Sequence, residues 1–429
     1  MTTAQKTAAQ AVVSRLLQMR QLWDDAAACY FEPDRFQLAL QNCITVSRTV
    51  TFILQSNKAA IPNFVEWYAG YQHNWGNDPI MVWAKEARNS IEKRGDLETH
   101  SQVRAAIIAS YLEGPETNWV PQALFASPHQ IFASVPRKYF VPHIVENGTL
   151  LIERRWVDSG LPDTEILEAL SHVYGRFADL VVDLLNRLAE PVPDLVADTR
   201  PDPMGALAMD RALYLSMKDG SRRGFRYFKR LWTEPSLDEE RKIVRRYGTF
   251  AAFDRLKKAT TFREAAEALF DQARVVMLRD GYHQSMTFLF KGLNMFRLIP
   301  TDHPDRASRY ILMRDLASLA HIDGADGVMM IGESWTAKLE DAPSGFAVDA
   351  KNRGEALTLR AANSLGEIFG LEAKIERRRW NTKKVKRLGD VIRDRDGYPF
   401  MYYPFQKMWG CVDEKRLQWA VDHSPAVTD

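Results

Sequence analysis

At 429 residues the chain is too long for one ordinary core, so two or three domains are expected. Hydrophobic residues at 46% and charged residues at 26% are the composition of a globular protein and exclude wholesale disorder. A net charge of +2 favours neither nucleic acid nor membrane globally, so such partners must be argued from local runs.

Cys29, Cys43 and Cys411 stand singly, without a CxxC pair, so neither a zinc ribbon nor a disulfide framework is indicated. Reduced thiols in a cytoplasm are the simple expectation. The N-terminus opens as an amphipathic helix without a signal-peptide core. No stretch reaches the roughly 18 apolar residues that span a bilayer. These features predict a cytoplasmic chain with no membrane partner, no metal and no cofactor.

In chain order, residues 5–28 read as a helix, with Val12, Leu16, Met19 and Trp23 at helical spacing. Pro33-Asp34 opens a second, whose buried face is Phe36, Leu40, Cys43, Ile44, Ser47, Val50 and Leu54. Pro62 starts a third, through Trp67 and Tyr71. Asp78-Pro79 starts a fourth, ending at Gly95 as its C-cap. Thr99 or Ser101 then caps a predicted fifth helix through Ile107 and Tyr111, completing a bundle. Prolines break residues 114–160, where 148–156 reads as a strand, and 162–189 is again a helix. Residues 190–205, rich in Pro and Asp, have the composition of a linker.

Beyond it, residues 206–280 read as mostly helical. Strands follow at 283–290 and 294–299, a helix at 304–321, and strands at 327–335, 354–363 and 367–378. The reading is a mainly α chain: an N-terminal bundle over 1–190, a linker at 191–205, and a helical segment with an α+β domain and a mixed sheet over 206–429.

Three constellations carry chemistry. The first is Arg88-Asn89-x-x-x-Lys93 on the fourth helix. It resembles the signature of the HEPN superfamily, helical-bundle domains of bacterial defence and stress systems, over about residues 10–115. The resemblance implies a dimer that cleaves RNA without a metal, with Arg88 steadying phosphate and Asn89 hydrogen-bonding. The family's His position holds Lys93, which binds phosphate but is a poor proton shuttle near pH 7. His100 lies outside the signature. Arg88 can equally pair with Glu92, Asp96 or Glu98.

The second is Glu333 and Glu355 at strand ends, with His283 opening the first strand: an acid/base pair or a metal-binding pair, though no HxH or HxE spacing supports a metal, or carboxylates paired with Arg353 or Arg360 on a sheet surface. Arg314 and His321, on one predicted helix, also fall inside a loose Arg-to-His window.

The third is a set of basic runs: Arg222 to Arg230, Arg241 to Arg246, and Arg377, Arg378, Arg379, Trp380, Lys383 and Lys384. Cations bind phosphates and aromatics stack bases, so the last run suits single-stranded nucleic acid. A solvated face explains it equally well. No P-loop, GxGxxG, GxSxG or HExxH occurs. The leading expectation is a prokaryotic stress or defence protein that dimerises or binds RNA, with ribonuclease activity if Arg88 is catalytic. The alternative is a non-enzymatic scaffold whose α+β domain binds a protein partner or ligand.

Overall fold

A computed structural model describes residues 3–95, 97–112, 118–119, 125–197, 201, 212–224, 226–227, 230–231, 236–247, 251–342, 347–393 and 400–423. The chain forms two units, one of Met1–Ile107 with Pro115–Arg222, the other of Ile108–Gly114 with Arg223–Asp429.

The first unit runs α1 (Thr3–Ala28), α2 (Pro33–Ser56), α3 (Phe64–Gly76), α4 (Pro79–Arg94), β1 (Thr99–Ile108), β2 (Asn118–Trp119), α5 (Pro128–Ala133), α6 (Pro142–Asn147), β3 (Thr149–Asp158), α7 (Ile166–Arg187), α8 (Asp194–Ala197) and β4 (Ala212–Ser216). Apolar side chains at helical spacing on α1, α2, α4 and α7 meet in one core. Trp156 lies at its centre, stacked on Phe36 at 4.8 Å between ring centroids. Three of the indoles here find an acceptor for the N–H: Trp156 donates to the Tyr30 carbonyl at 3.0 Å, Trp23 to that of Leu167 at 3.0 Å, and Trp83 to Asp158 at 3.0 Å.

The expected fifth helix is instead strand β1. Ser101, Val103 and Ala105 are buried while Gln102 and Arg104 are exposed, a period of two that only a strand satisfies. The helix that completes the bundle is α7, 22 residues long, whose start is set by Glu165 accepting from the Glu168 N–H at 3.1 Å. The strands form a four-stranded sheet in the order β2-β1-β3-β4. β4 pairs back onto β3, with Thr149 opposite Ser216, so residues expected to be helical are sheet. Residues 191–197 and 201 lie within the first unit, and the chain passes to the second at Arg222/Arg223. Of the Pro/Asp stretch, 198–200 and 202–205 lie outside the described residues.

The second unit holds β5 (Arg226–Tyr227), β6 (Arg230–Leu231), α9 (Leu237–Tyr247), α10 (Ala251–Lys258), α11 (Phe262–Asp280), β7 (Met286–Lys291), β8 (Asn294–Asp302), α12 (Arg306–Asp323), β9 (Gly327–Thr336), β10 (Gly354–Asn363), β11 (Ile368–Arg378), β12 (Asn381–Leu388), β13 (Ile392–Arg393), α13 (Tyr403–Trp409) and α14 (Glu414–Asp422). Its sheet runs β12-β11-β10-β9-β7-β8-β5, with β13 on β11 and β6 on β8. Phe262, Phe270 and Met277 of α11 pack on one face, against Phe290, Met329, Ile331, Leu357, Leu371 and Ile375.

Two features of the expected fold class are thereby corrected. Strand pairing organises both units, so the chain is not mainly α. The second sheet is antiparallel rather than mixed, every described pairing in it running that way. Short connections account for the β7–β8, β10–β11 and β11–β12 pairs, because a parallel pair needs a crossover of a dozen residues or more.

Asp78 joins the bundle's helices. Its carboxylate caps α4 by accepting from the Ile80 and Met81 N–H groups at 3.1 and 3.3 Å, and it also meets His172 at 2.7 Å and Arg176 at 3.1 Å on α7. Burial acts to raise its pKa, but the bonds from His172, Met81 and Arg176 prevail and hold it below the ordinary value of 3.8. A depressed carboxyl contributes stability above its unfolded pKa and loses it as pH falls through the folded one. Asp78→Asn keeps the cap and removes the charge. It should be less stable than wild type in urea melts above pH 3.8, with the gap closing as pH drops further. An equal gap at every pH would contradict this assignment.

Candidate nucleic-acid interface

On α4, Arg88 is already engaged within its own helix. Nε donates to Glu92 Oε1 at 2.8 Å, Nη2 bonds Glu92 Oε2, and Nη1 donates to Asn89 Oδ1 at 3.2 Å. Glu92 sits one turn on, where an i,i+4 pair meets naturally. Lys93 is exposed and Asn89 half-buried. Structure thus brings Arg88 and Asn89 together, but with a carboxylate in the place of a phosphate. His100, on β1, bonds Ser159 at 2.7 Å. Arg314 donates to the carbonyls of Ser110 and Leu112 at 3.3 and 3.0 Å, while His321 is exposed.

Glu333 and Glu355 do converge. In the β9–β10 ladder Glu355 lies opposite Trp335, two residues from Glu333, so both carboxylates share the face that carries α11. They meet Arg377, which the same ladder logic places on that face of β11. Arg377 Nη2 donates to Glu333 at 2.8 Å, Nε bonds Glu355, and Nη1 donates to the carbonyls of Gly281 at 2.8 Å and Thr382 at 3.3 Å. The other Glu333 oxygen accepts the His283 backbone N–H at 2.8 Å. Burial holds the His283 ring below the ordinary histidine range.

The guanidinium has therefore taken both carboxylates, and the arrangement is a clamp rather than an acid/base pair. The proposed partners do not form it: Arg353 stacks 4.1 Å over Trp335, and Arg360 approaches Glu372 at 3.9 Å.

The clamp fixes the β11–β12 hairpin. Arg377 stands opposite Val385 while its neighbour Arg378 stands opposite Asn381, so Thr382, Lys383 and Lys384 bulge from the ladder. The bulge lets Thr382 turn its carbonyl onto Arg377. Beside it lies Gly281, the left-handed C-cap of α11 at φ 81°. A Cβ there would sit 2.1 Å from the Lys383 carbonyl, so only glycine admits the hairpin this close. At the tip, Arg379 and Trp380 form the turn, and Trp380 is 85% exposed. Arg378, Arg379, Lys383 and Lys384 are exposed around it, while Arg387 is tied to Glu376 at 2.7 Å.

The other basic runs fare differently. Arg223 bonds Asp305, and Arg222 approaches Glu32 at 3.6 Å. Arg241, Lys242 and Arg245 are exposed on α9. Of the tyrosines near the last run, Tyr402 is buried, Tyr403 is half-buried and Tyr398 lies outside the described residues. The linear run groups Arg377 with its neighbours as a nucleic-acid contact; its place two residues beyond the Ile375–Glu355 pair, and the bulge, make it the anchor of the hairpin.

Arg377→Met should leave two adjacent carboxylates uncompensated. The clamp is only partly buried, so a loss on the order of 2 kcal/mol is expected. Amide hydrogen exchange should accelerate across Asn381–Leu388 first, and unchanged protection there would show that the hairpin does not depend on the clamp.

Comparison with known proteins gives one family and a relative within it. The family described as Bacteriophage lambda protein ea47 matches residues 2–424. Protein ea47 of Escherichia phage lambda is 33% identical over 318 residues, covering 72% of this chain and 75% of that protein. No solved structure gives a significant match. A family match across nearly the whole length and a relative this similar lead to one conclusion: the chain belongs to the bacteriophage lambda protein ea47 family.

Proposed function

We propose that this protein binds single-stranded nucleic acid, RNA or DNA, through the β11–β12 hairpin, and that it acts in the bacterial cytoplasm without cutting what it binds. Trp380 carries the reading. An indole buried in a core contributes several kcal/mol to stability, on the order of 25 cal/mol for each Å² of apolar surface removed from water. Here it stands 85% exposed on a turn, between cations, on a hairpin held by a partly buried clamp. Bases stack on such a ring whatever their identity, and the flanking Arg378, Arg379, Lys383 and Lys384 suit the phosphates between them. Among the described residues no helix is long and apolar enough to cross a membrane.

A ribonuclease centre at Arg88, Asn89 and Lys93 has less support. Arg88 would have to release Glu92 before holding a phosphate, and the position that needs a proton shuttle carries an exposed lysine.

Binding can be followed by fluorescence anisotropy of a labelled single-stranded oligonucleotide. Trp380→Ala should weaken it by roughly 5- to 150-fold, the range of one stacked base. Lys383→Glu with Lys384→Glu should reduce the slope of log affinity against log salt by about 1.4, at about 0.7 per lost phosphate contact. Wild-type protein that does not bind, or variants that bind like wild type, would overturn the proposal. Cleavage of RNA in EDTA that is lost in Arg88→Ala would favour the ribonuclease reading instead.

A further inference from the structure

We infer that the strand held by the hairpin continues onto Tyr282 and the cationic end of α9, so the ligand is an oligonucleotide of several residues rather than a mononucleotide. This rests on the hairpin reading and extends it to residues of a separate basic run.

The junction is two consecutive residues, Asp280 and Gly281, at the end of α11. On one side, Arg246 of α9 donates to Asp280 through Nε at 3.2 Å and Nη2 at 2.7 Å, and the Tyr247 hydroxyl donates to it at 2.9 Å. On the other, the Gly281 carbonyl accepts from Arg377, and a Cβ at this position would run into the Lys383 carbonyl. Adjacent Cα atoms are about 3.8 Å apart, so α9 and the hairpin bulge are fastened to neighbouring points of one turn.

Tyr282 follows directly. Its backbone is pinned at both ends, by the bond to the Gly281 carbonyl before it and by the His283 N–H donated to Glu333 after it. The residue is 64% exposed. A backbone fixed under an exposed ring is a preorganised stacking platform, which loses little freedom on binding.

The charges on α9 are sorted along its axis. Asp238 and Glu239 lie in the first turn, and Arg245 and Arg246 in the last, the end fastened to Asp280. Helix dipole compensation alone accounts for such sorting. It does not account for an exposed aromatic at the same corner, nor for the exposure of Lys242 and Arg245 while Arg246 is held by Asp280. The exposed groups attached to this one turn are Trp380, Lys383 and Lys384 on the hairpin, Tyr282 at the junction, and Lys242 and Arg245 on α9, the aromatic and cationic residues that the bases and phosphates of a single strand call for.

The test is a length series of labelled oligothymidylates measured against full-length wild type, Tyr282→Ala, the pair Lys242→Glu with Arg245→Glu, and Trp380→Ala. Wild-type affinity should rise with length and then level off. Tyr282→Ala and the α9 pair should each lower that plateau by at least about fivefold while leaving the shortest binding oligonucleotide unaffected; Trp380→Ala should weaken every length. Wild-type plateaus in both the Tyr282 and α9 variants, with Trp380→Ala still impaired, would overturn the extended track and leave the hairpin reading standing. No effect from any variant would remove both.

Discussion

One guanidinium organises the hairpin end of the second unit. Arg377 reaches β9 through Glu333, β10 through Glu355, the end of α11 through Gly281 and the bulge through Thr382. Removing it leaves two carboxylates diagonal to one another on neighbouring strands with their shared cation gone, a destabilising arrangement. The geometry of everything exposed nearby, the Trp380 turn, Lys383, Lys384 and the Tyr282 corner, follows from this attachment. Rigid support beneath an exposed site is what keeps its contacts in register for a ligand.

The lysines of β12 serve a second purpose. β12 is the last strand of its sheet, and exposed lysines on an edge discourage pairing with another chain. Edge protection alone explains Lys383, Lys384 and Lys386. It does not explain Trp380, because an exposed indole on an edge hairpin promotes the association that the lysines suppress. A ligand that is both anionic and flat satisfies the two kinds of residue together.

Much of the fold was legible in the sequence where a periodic pattern was long. Residues 33–56, with Phe36, Leu40, Ile44 and Leu54 on one face, form α2 as expected, and the strand pair around Leu365-Gly366 forms β10 and β11. Shorter patterns misled. Val103, Ile107 and Ile108 fit a helix or a strand within ten residues, and pairing across the sheet decided for the strand. Sheet direction was hidden for the same reason, since it depends on which strands become neighbours. At the site, the exposed part of the basic run was readable as a run. The exception, Arg377, was not, because its partners lie 44 and 22 residues earlier in the chain and only register brings them together. The convergence of α9 with the hairpin was equally invisible, resting on a single turn at Asp280-Gly281.

The central claim is that an ordered hairpin in the second unit, not the Arg88 helix in the first, receives the nucleic acid. Ultraviolet cross-linking of a bound single-stranded oligonucleotide, with the adducts mapped by mass spectrometry, addresses it most directly. The account predicts adducts on the peptides containing Trp380 and Tyr282. Adducts confined to the peptide containing Arg88, Asn89 and Lys93 would contradict it.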